Sequence, residues 1–181
     1  EALTPALVWG VLPAAAAYHR LLVTPTPALA AIGREAGATL IDEPEGASDL
    51  NAAYAHALTK VPKEAARALL PGDLGFLKSD DIEAALALLQ RHDIVLASTN
   101  HGGTGAIFLA PGVSIAPAFG PGSFARHRAA AEAGGFDLAM LDRAGFTRDV
   151  DAPEDVLALA AERPQTHAGA LAARITAAPQ G

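Results

Sequence analysis

The sequence predicts an α/β protein with a mainly parallel sheet covered by helices on both faces. From residue 21 onward, short β-like apolar runs alternate with longer stretches of helical character, the pattern of strand–helix–strand units. Start and stop signals frame the helical stretches where the alternation demands them. The chain has 181 residues of which 51% are hydrophobic, enough to bury a substantial core and too apolar for intrinsic disorder.

The elements follow in order. Ala2 to Arg20 is Ala-rich and weakly helical, with an interruption expected at Pro13. Leu21–Thr24 reads as a strand. Thr26 then caps a helix with Pro27 at its first position and Gly37 just past its end. Thr39–Ile41 is a second strand, and Asp49 or Ser48 caps a helix over Asn51–Lys60. Ala66–Leu70 is a third strand. Ser79 or Asp80 is expected to cap the next helix, with Glu83 placed for a capping box from Asp80. Ile82, Ala85, Leu86 and Leu89 share one face of that helix. Ile94–Ala97 and Ala106–Ala110 are strands around a glycine-rich turn, followed by a helix over Ser123–Gly134 and a strand over Leu138–Leu141. A helix over Asp151–Glu162 and an Ala-rich end complete the chain, which reads as one domain over residues 1–181.

Composition narrows the function. With 13 Lys and Arg against 20 Asp and Glu, the net charge of −7 argues against a nucleic-acid binder, which needs a basic face. An anionic small substrate needs only local devices, such as a helix N-terminus or a metal. No Cys is present, so neither disulfides nor a thiolate zinc site can form. No apolar run reaches the roughly 18–20 residues of a membrane helix. No membrane partner and a cytoplasmic location are therefore expected, and oligomeric state is left open.

Ligands in such sheets gather beyond the carboxyl ends of strands, and four loops there stand out. Leu70-Pro71-Gly72-Asp73-Leu74 places a carboxylate directly after a strand, where it can hold a hard cation such as Mg²⁺ or merely shape an Asx-turn. His101-Gly102-Gly103-Thr104-Gly105 lets backbone N–H groups and a hydroxyl approach an anion; equally, it is a hairpin turn between two strands. In Phe119-Gly120-Pro121-Gly122-Ser123, Ser123 is expected to cap a helix whose accessible N-terminus suits a phosphate or carboxylate. The alternative is a capped turn whose first turn, with Arg126, His127 and Arg128, is merely basic and solvated. Asp149 and Asp151, two apart, point the same way in an extended segment and could share Mg²⁺ with Asp73; Asp151 also suits a helix cap with Glu154 as its capping-box partner.

Several segments together resemble the 2-phospho-L-lactate or phosphoenolpyruvate guanylyltransferases of coenzyme F(420) biosynthesis. They are Val23-Thr24-Pro25, Asp49–Ala53, Leu70–Leu74, His101–Gly105, Pro117–His127 and Asp149–Asp155, in that order. The Phe119–His127 block followed by Asp149–Asp155 is the specific part.

That resemblance implies a three-layer nucleotidyltransferase fold of the nucleotide-diphospho-sugar-transferase type. It implies transfer of GMP from GTP to 2-phospho-L-lactate, phosphoenolpyruvate or 3-phosphoglycerate, with release of pyrophosphate. Carried over residue by residue, Asp73, Asp149 and Asp151 would be the catalytic Mg²⁺ ligands. Thr104, Gly120 and Ser123 would hold the acid, and Thr24, Pro25, Leu50 and Asn51 would lie near the nucleotide. Such enzymes open with a strand and a lysine-containing loop for which there is no segment before Glu1, so the domain is expected to lack that strand and loop. The glycine turn is one residue shorter than the usual Gly-Thr-Gly-Thr form, and Gly75 stands where a Pro is common. The alternatives are a nucleotidyltransferase of the molybdenum-cofactor or sugar-phosphate type, and a non-catalytic nucleotide-binding domain.

Overall fold

The computed structural model describes residues 3–24, 26–44 and 49–177. Pro25 and Ser48, which the sequence places near the nucleotide and at a helix cap, lie outside the described residues. The elements are α1 (Leu3–Ala14), β1 (Leu21–Val23), α2 (Pro27–Glu35), β2 (Thr39–Ile41), α3 (Leu50–Leu58), β3 (Arg67–Leu69) and α4 (Ser79–Leu89). They continue as β4 (Ile94–Ser98), β5 (Thr104–Leu109), α5 (Ser123–Ala133), β6 (Leu138–Met140), α6 (Ala144–Thr147), α7 (Pro153–Glu162) and α8 (His167–Ala177). No described helix is long and apolar enough to cross a membrane.

Every strand expected from the apolar runs forms, within a residue or two. β1 and β2 pair in parallel, and a four-stranded sheet runs in the order β3-β5-β4-β6. Its β4–β6 pair is parallel, whereas β5 runs antiparallel to both β3 and β4. The fold is thus α/β with mixed pairing, and the direction of β5 has a simple cause. The turn between β4 and β5 spans only Thr99–Gly103, too short for the crossover that a parallel neighbour requires.

Alternation along β4 and β5 divides the core into two layers. Val95, Ala97, Ala106 and Phe108 face one way, joining Ile82, Ala85 and Leu89 of α4, Val11 of α1, and Phe146 of α6. Ile94, Leu96, Ile107 and Leu109 face the other way, toward Ala131 of α5 and Tyr54 of α3. A third cluster joins α1 to α7 and α8 through Leu7, Leu159 and Ala168 and takes in Val150.

Several helix starts differ from expectation. Thr26 and Asp49 cap α2 and α3 as expected, accepting from Leu29 N–H at 3.4 Å and Ala52 N–H at 2.8 Å. α4, however, begins with Lys78 at the N-cap, and Asp81 reaches back to its N–H at 3.0 Å, so neither Ser79 nor Asp80 caps it. Asp81 also receives Arg143 at 2.7 Å, which ties α4 to α6. α7 begins after Ala152, whose N–H is taken by Asp155 at 2.9 Å; the cap expected from Asp151 and Glu154 does not form. Pro13 sits one residue from the end of α1 instead of interrupting it.

Candidate functional site

The acidic strap Arg148–Asp151 owes its orientation to the apolar residue at its centre. Val150 is buried in the cluster formed by α1, α7 and α8, and in extended chain its two neighbours point the opposite way. Asp149 is accordingly half-buried and Asp151 exposed, on either side of the buried Val150 in the chain. Gly75 makes room for this arrangement: a Cβ there would meet Val150 Cγ2 at 2.8 Å. The close approach brings the loop carrying Asp73 to the strap.

Electrostatics registers the convergence. Burial raises the pKa of Asp73, and the negative charges of Asp151 and Asp149 raise it further. Asp149 is likewise pushed up by burial and then by Asp151, while His101 opposes the shift. Tyr54 on α3 is pushed up by burial and by Asp73. Among the described residues no three His, Asp or Glu side chains are gathered closely enough to hold an ion alone. The all-carboxylate oxygen donors nonetheless fit Mg²⁺, which usually takes one or two carboxylates and completes its shell with water and substrate phosphates. Their mutual repulsion is the kind a cation relieves.

The upstream end of the strap is clamped. Arg148 donates to both carboxylate oxygens of Glu162, at 2.8 and 3.0 Å, while its guanidinium lies 3.7 Å from the centre of the Phe76 ring. Just before it, the Thr147 carbonyl accepts from Asn100 N–H in the β4–β5 turn at 2.9 Å. The strap and the glycine turn are thereby neighbours.

That turn is a hairpin, and its glycines serve geometry first. Gly102 adopts φ +75°, and Thr99 Oγ1 accepts from Gly103 N–H at 3.1 Å. Pairing then slips between Ala97/Ala106 and Ser98/Thr104, leaving Gly105 as the extra residue of a β-bulge. A Cβ on Gly105 would fall on the Phe146 carbonyl oxygen, so only glycine lets α6 lie against the strand. By plain alternation Thr104 would share the face of Ala106 and Phe108; the bulge turns it to the opposite face, toward α5.

There Thr104 meets the third loop. Its Oγ1 lies 3.0 Å from Ser123 Oγ and 2.8 Å from His127 Nδ1, and Nε2 of His127 accepts from Ala118 N–H at 2.8 Å. Ser123 and His127 have no solvent exposure and Thr104 only 4%. Burial and the nearby Arg126 cation hold His127 down at about 4, so the ring is neutral.

Ser123 is not the N-cap. That position belongs to Gly122, at φ +68°, and Ser123 is the first helical residue with its hydroxyl turned inward. Two first-turn donors are already committed: Ser123 N–H to the Gly120 carbonyl at 3.0 Å and Phe124 N–H to the Gly102 carbonyl at 3.4 Å. The open helix end expected here is thus partly spent on joining the two loops. Gly120 keeps its place through φ +120°, a conformation closed to side chains.

Of the residues expected near a nucleotide, Thr24 is buried after β1, accepting from Thr26 N–H at 3.2 Å, and Leu50 is exposed at the start of α3. Asn51 turns its amide to Phe119, accepting from the N–H at 2.6 Å and donating to the carbonyl at 3.1 Å. The Phe119 ring lies 4.8 Å from Tyr54 and 5.1 Å from His127 between ring centres.

Sequence reasoning missed His127, read as part of a solvated basic turn. Ser123, His127 and Ala131 recur every four residues and are the buried residues of α5, a stripe that periodicity could have revealed.

Comparison with known proteins bears on the family and the fold. Residues 3–175 match the family model described as "Guanylyl transferase CofC like". The 3-phospho-D-glycerate guanylyltransferase of Phenylobacterium zucineum (strain HLK1) is 43% identical over 143 residues, 77% of this chain and 65% of that protein. The 2-phospho-L-lactate guanylyltransferase of Methanopyrus kandleri is 42% identical over 89 residues, 49% of this chain and 47% of its own. The phosphoenolpyruvate guanylyltransferase of Mycolicibacterium gilvum (strain PYR-GCK) is 38% identical over 143 residues, 76% of this chain and 64% of its own. The chain thus spans less than two thirds of the length of these three relatives. A crystal structure of a candidate nucleotide-diphospho-sugar transferase from Desulfovibrio desulfuricans G20 superposes with a TM-score of 0.72. It is 16% identical, covering 97% of this chain and 83% of that one, and so speaks to the fold alone. By its sequence, the chain belongs to the guanylyl transferase CofC like family.

Proposed function

We propose that the full-length protein transfers GMP from GTP to a small phosphorylated acid and releases pyrophosphate, in the biosynthesis of coenzyme F(420). The observation that carries this reading is the meeting of three loops: Asp73, the Asp149–Asp151 strap, and the Thr104–Ser123 pair joined to the strap through the β4–β5 turn. The names of the relatives support the reaction class and supply three acids to test: 3-phospho-D-glycerate, 2-phospho-L-lactate and phosphoenolpyruvate.

In the reaction, an oxygen of the acid's phosphate attacks the α-phosphorus of GTP. A new P–O bond forms as the bond to the bridging oxygen breaks, and the electron pair departs on pyrophosphate. No covalent nucleophile is needed; positioning and charge neutralisation suffice. Asp73, Asp149 and Asp151 would hold Mg²⁺, which when bound neutralises charge on the reacting phosphates. Val150 and the Arg148–Glu162 pair hold in place the strap whose two carboxylates act on Asp73 by charge. Thr104, Ser123 and the Gly120 backbone take the acid. Thr24, Leu50 and Asn51, from the region where α3 packs on β1, would contact the nucleotide, and Pro25, outside the described residues, is assigned there by the resemblance alone.

The test is transfer by the full-length protein with GTP and Mg²⁺, offering each acid in turn and following pyrophosphate and the guanylylated product. Transfer to one or more acids with GTP preferred over ATP and CTP is the expected result. A clear preference for CTP, or no transfer to any acid, overturns the reading.

A further inference from the structure

The hydrogen atoms of the buried cluster around Thr104 can be counted. A backbone N–H can only donate, so the Ala118 amide at 2.8 Å requires a bare lone pair on His127 Nε2. The neutral ring then carries its proton on Nδ1, and that N–H donates to Thr104 Oγ1 at 2.8 Å. Two hydroxyl hydrogens remain, on Thr104 and Ser123, but the two oxygens share a single contact of 3.0 Å. That contact consumes one hydrogen. Among the described residues neither oxygen has another partner, so one hydroxyl hydrogen is left over.

The opposite tautomer gives the opposite result. With the proton on Nε2, Thr104 would donate to Nδ1 and Ser123 to Thr104. No hydrogen would remain, and only lone pairs would be offered to a ligand. The Ala118 amide thus determines, through the imidazole, whether the pair offers a donor or only acceptors.

We infer that His127 is a positioning residue for the acid substrate: locked by Ala118 as the Nδ1–H tautomer, it makes the Thr104–Ser123 pair a net hydrogen-bond donor toward an anion. The inference rests on the reading that this pair takes the phosphorylated acid. A wholly buried imidazole on the same helix face as Ser123 is placed to do this without touching the ligand. The low proton affinity of the ring keeps it in the one form that works at neutral pH.

Two measurements on the full-length protein test it. Imidazole nitrogen NMR of the unliganded protein at neutral pH should find His127 protonated on Nδ1 alone; an Nε2–H tautomer or an imidazolium overturns the inference. Kinetics then separates positioning from mere packing. In His127→Asn the amide sits at the level of Nδ1 and can still donate to Thr104. In His127→Gln it reaches the level of Nε2 and can satisfy Ala118 instead. Positioning predicts that His127→Gln raises KM for phosphoenolpyruvate or 3-phosphoglycerate by about 10-fold or more, and that His127→Asn raises it less. KM for GTP should stay near that of the wild type in both. Equal effects of the two variants, or parallel losses for acid and GTP, overturn the inference. Absence of transfer by the wild type counts instead against the guanylyltransferase reading, and the NMR spectrum still decides the tautomer.

Discussion

Asn51 grips both backbone polar groups of Phe119, accepting from its N–H at 2.6 Å and donating to its carbonyl at 3.1 Å. One side-chain amide thus substitutes for a strand partner and ties the first turn of α3 to the loop that leads into α5. Two partly buried hydrogen bonds of this kind contribute about 1–3 kcal/mol together. Asn51→Ala should lower stability by that amount and raise KM for both GTP and the acid, because the tie joins the two sides of the site. Urea unfolding and two-substrate kinetics check this; an effect on GTP alone would mean that Asn51 acts only as a nucleotide contact.

The helix start at α7 separates two neighbouring carboxylates by role. Asp155 takes the N–H of Ala152, so Asp155→Ala should cost about 0.5–2 kcal/mol of stability. Asp151 accepts no capping bond, so Asp151→Ala and Asp151→Asn should leave the melting temperature without metal almost unchanged. Guanylyl transfer by both Asp151 variants should nevertheless fall by orders of magnitude. An Asp151→Asn enzyme with near-normal turnover would remove Asp151 from the metal site.

Asp73 carries the burden of burial first and of two neighbouring carboxylates after it. Its pKa is raised by burial and by Asp151 and Asp149, so the folded state binds its proton more tightly than the unfolded chain does. Stability from this group therefore falls as pH rises from the unfolded value of 3.8 through the higher folded value, and the full penalty stands at neutral pH. Asp73→Asn should leave the melting temperature in chelator unchanged or raise it, while transfer collapses. Added Mg²⁺ should raise the melting temperature of the wild type more than that of the variant.

His127 works in the other direction. Its folded pKa of about 4 lies below the ordinary 6.5, so between these values the unfolded chain binds more protons. The contribution is fully present above pH 6.5 and is lost as pH falls toward 4, on the order of 3 kcal/mol in all. Urea titrations across this range should show a steeper acid loss in the wild type than in His127→Gln. Superimposable profiles would mean that the ring is not held neutral by the fold.

The strands and the loops at their ends were legible because apolar runs and Gly-Pro punctuation are local signals. Helix starts were less so where acidic residues crowd. Asp80 and Asp81, or Asp151, Glu154 and Asp155, each satisfy the composition of a cap, and only the packed start of the helix selects among them. In both helices the acid that reaches back lies three residues inside the cap, at Asp81 and Asp155. The direction of β5 was written in the length of the turn before it. Asp73, Asp149 and Asp151 could be singled out by position, but the reason they come within one another's electrostatic reach, Val150 buried between its neighbours and packed on Gly75, depends on contacts far apart in the chain.

The bulge at Gly105 has a consequence for how this site could be gained or lost. Drawing Gly105 into the ladder opposite Ser98 would restore unbroken pairing between β4 and β5, a one-residue change of register. It would also rotate Thr104 from the α5 side of the sheet to the α4 side, carrying its hydroxyl away from Ser123. The parity of a single strand thus acts as a one-bit record of whether Thr104 reaches Ser123, whereas deleting Gly105 outright would leave Thr104 opposite Ser98 and on the α5 side.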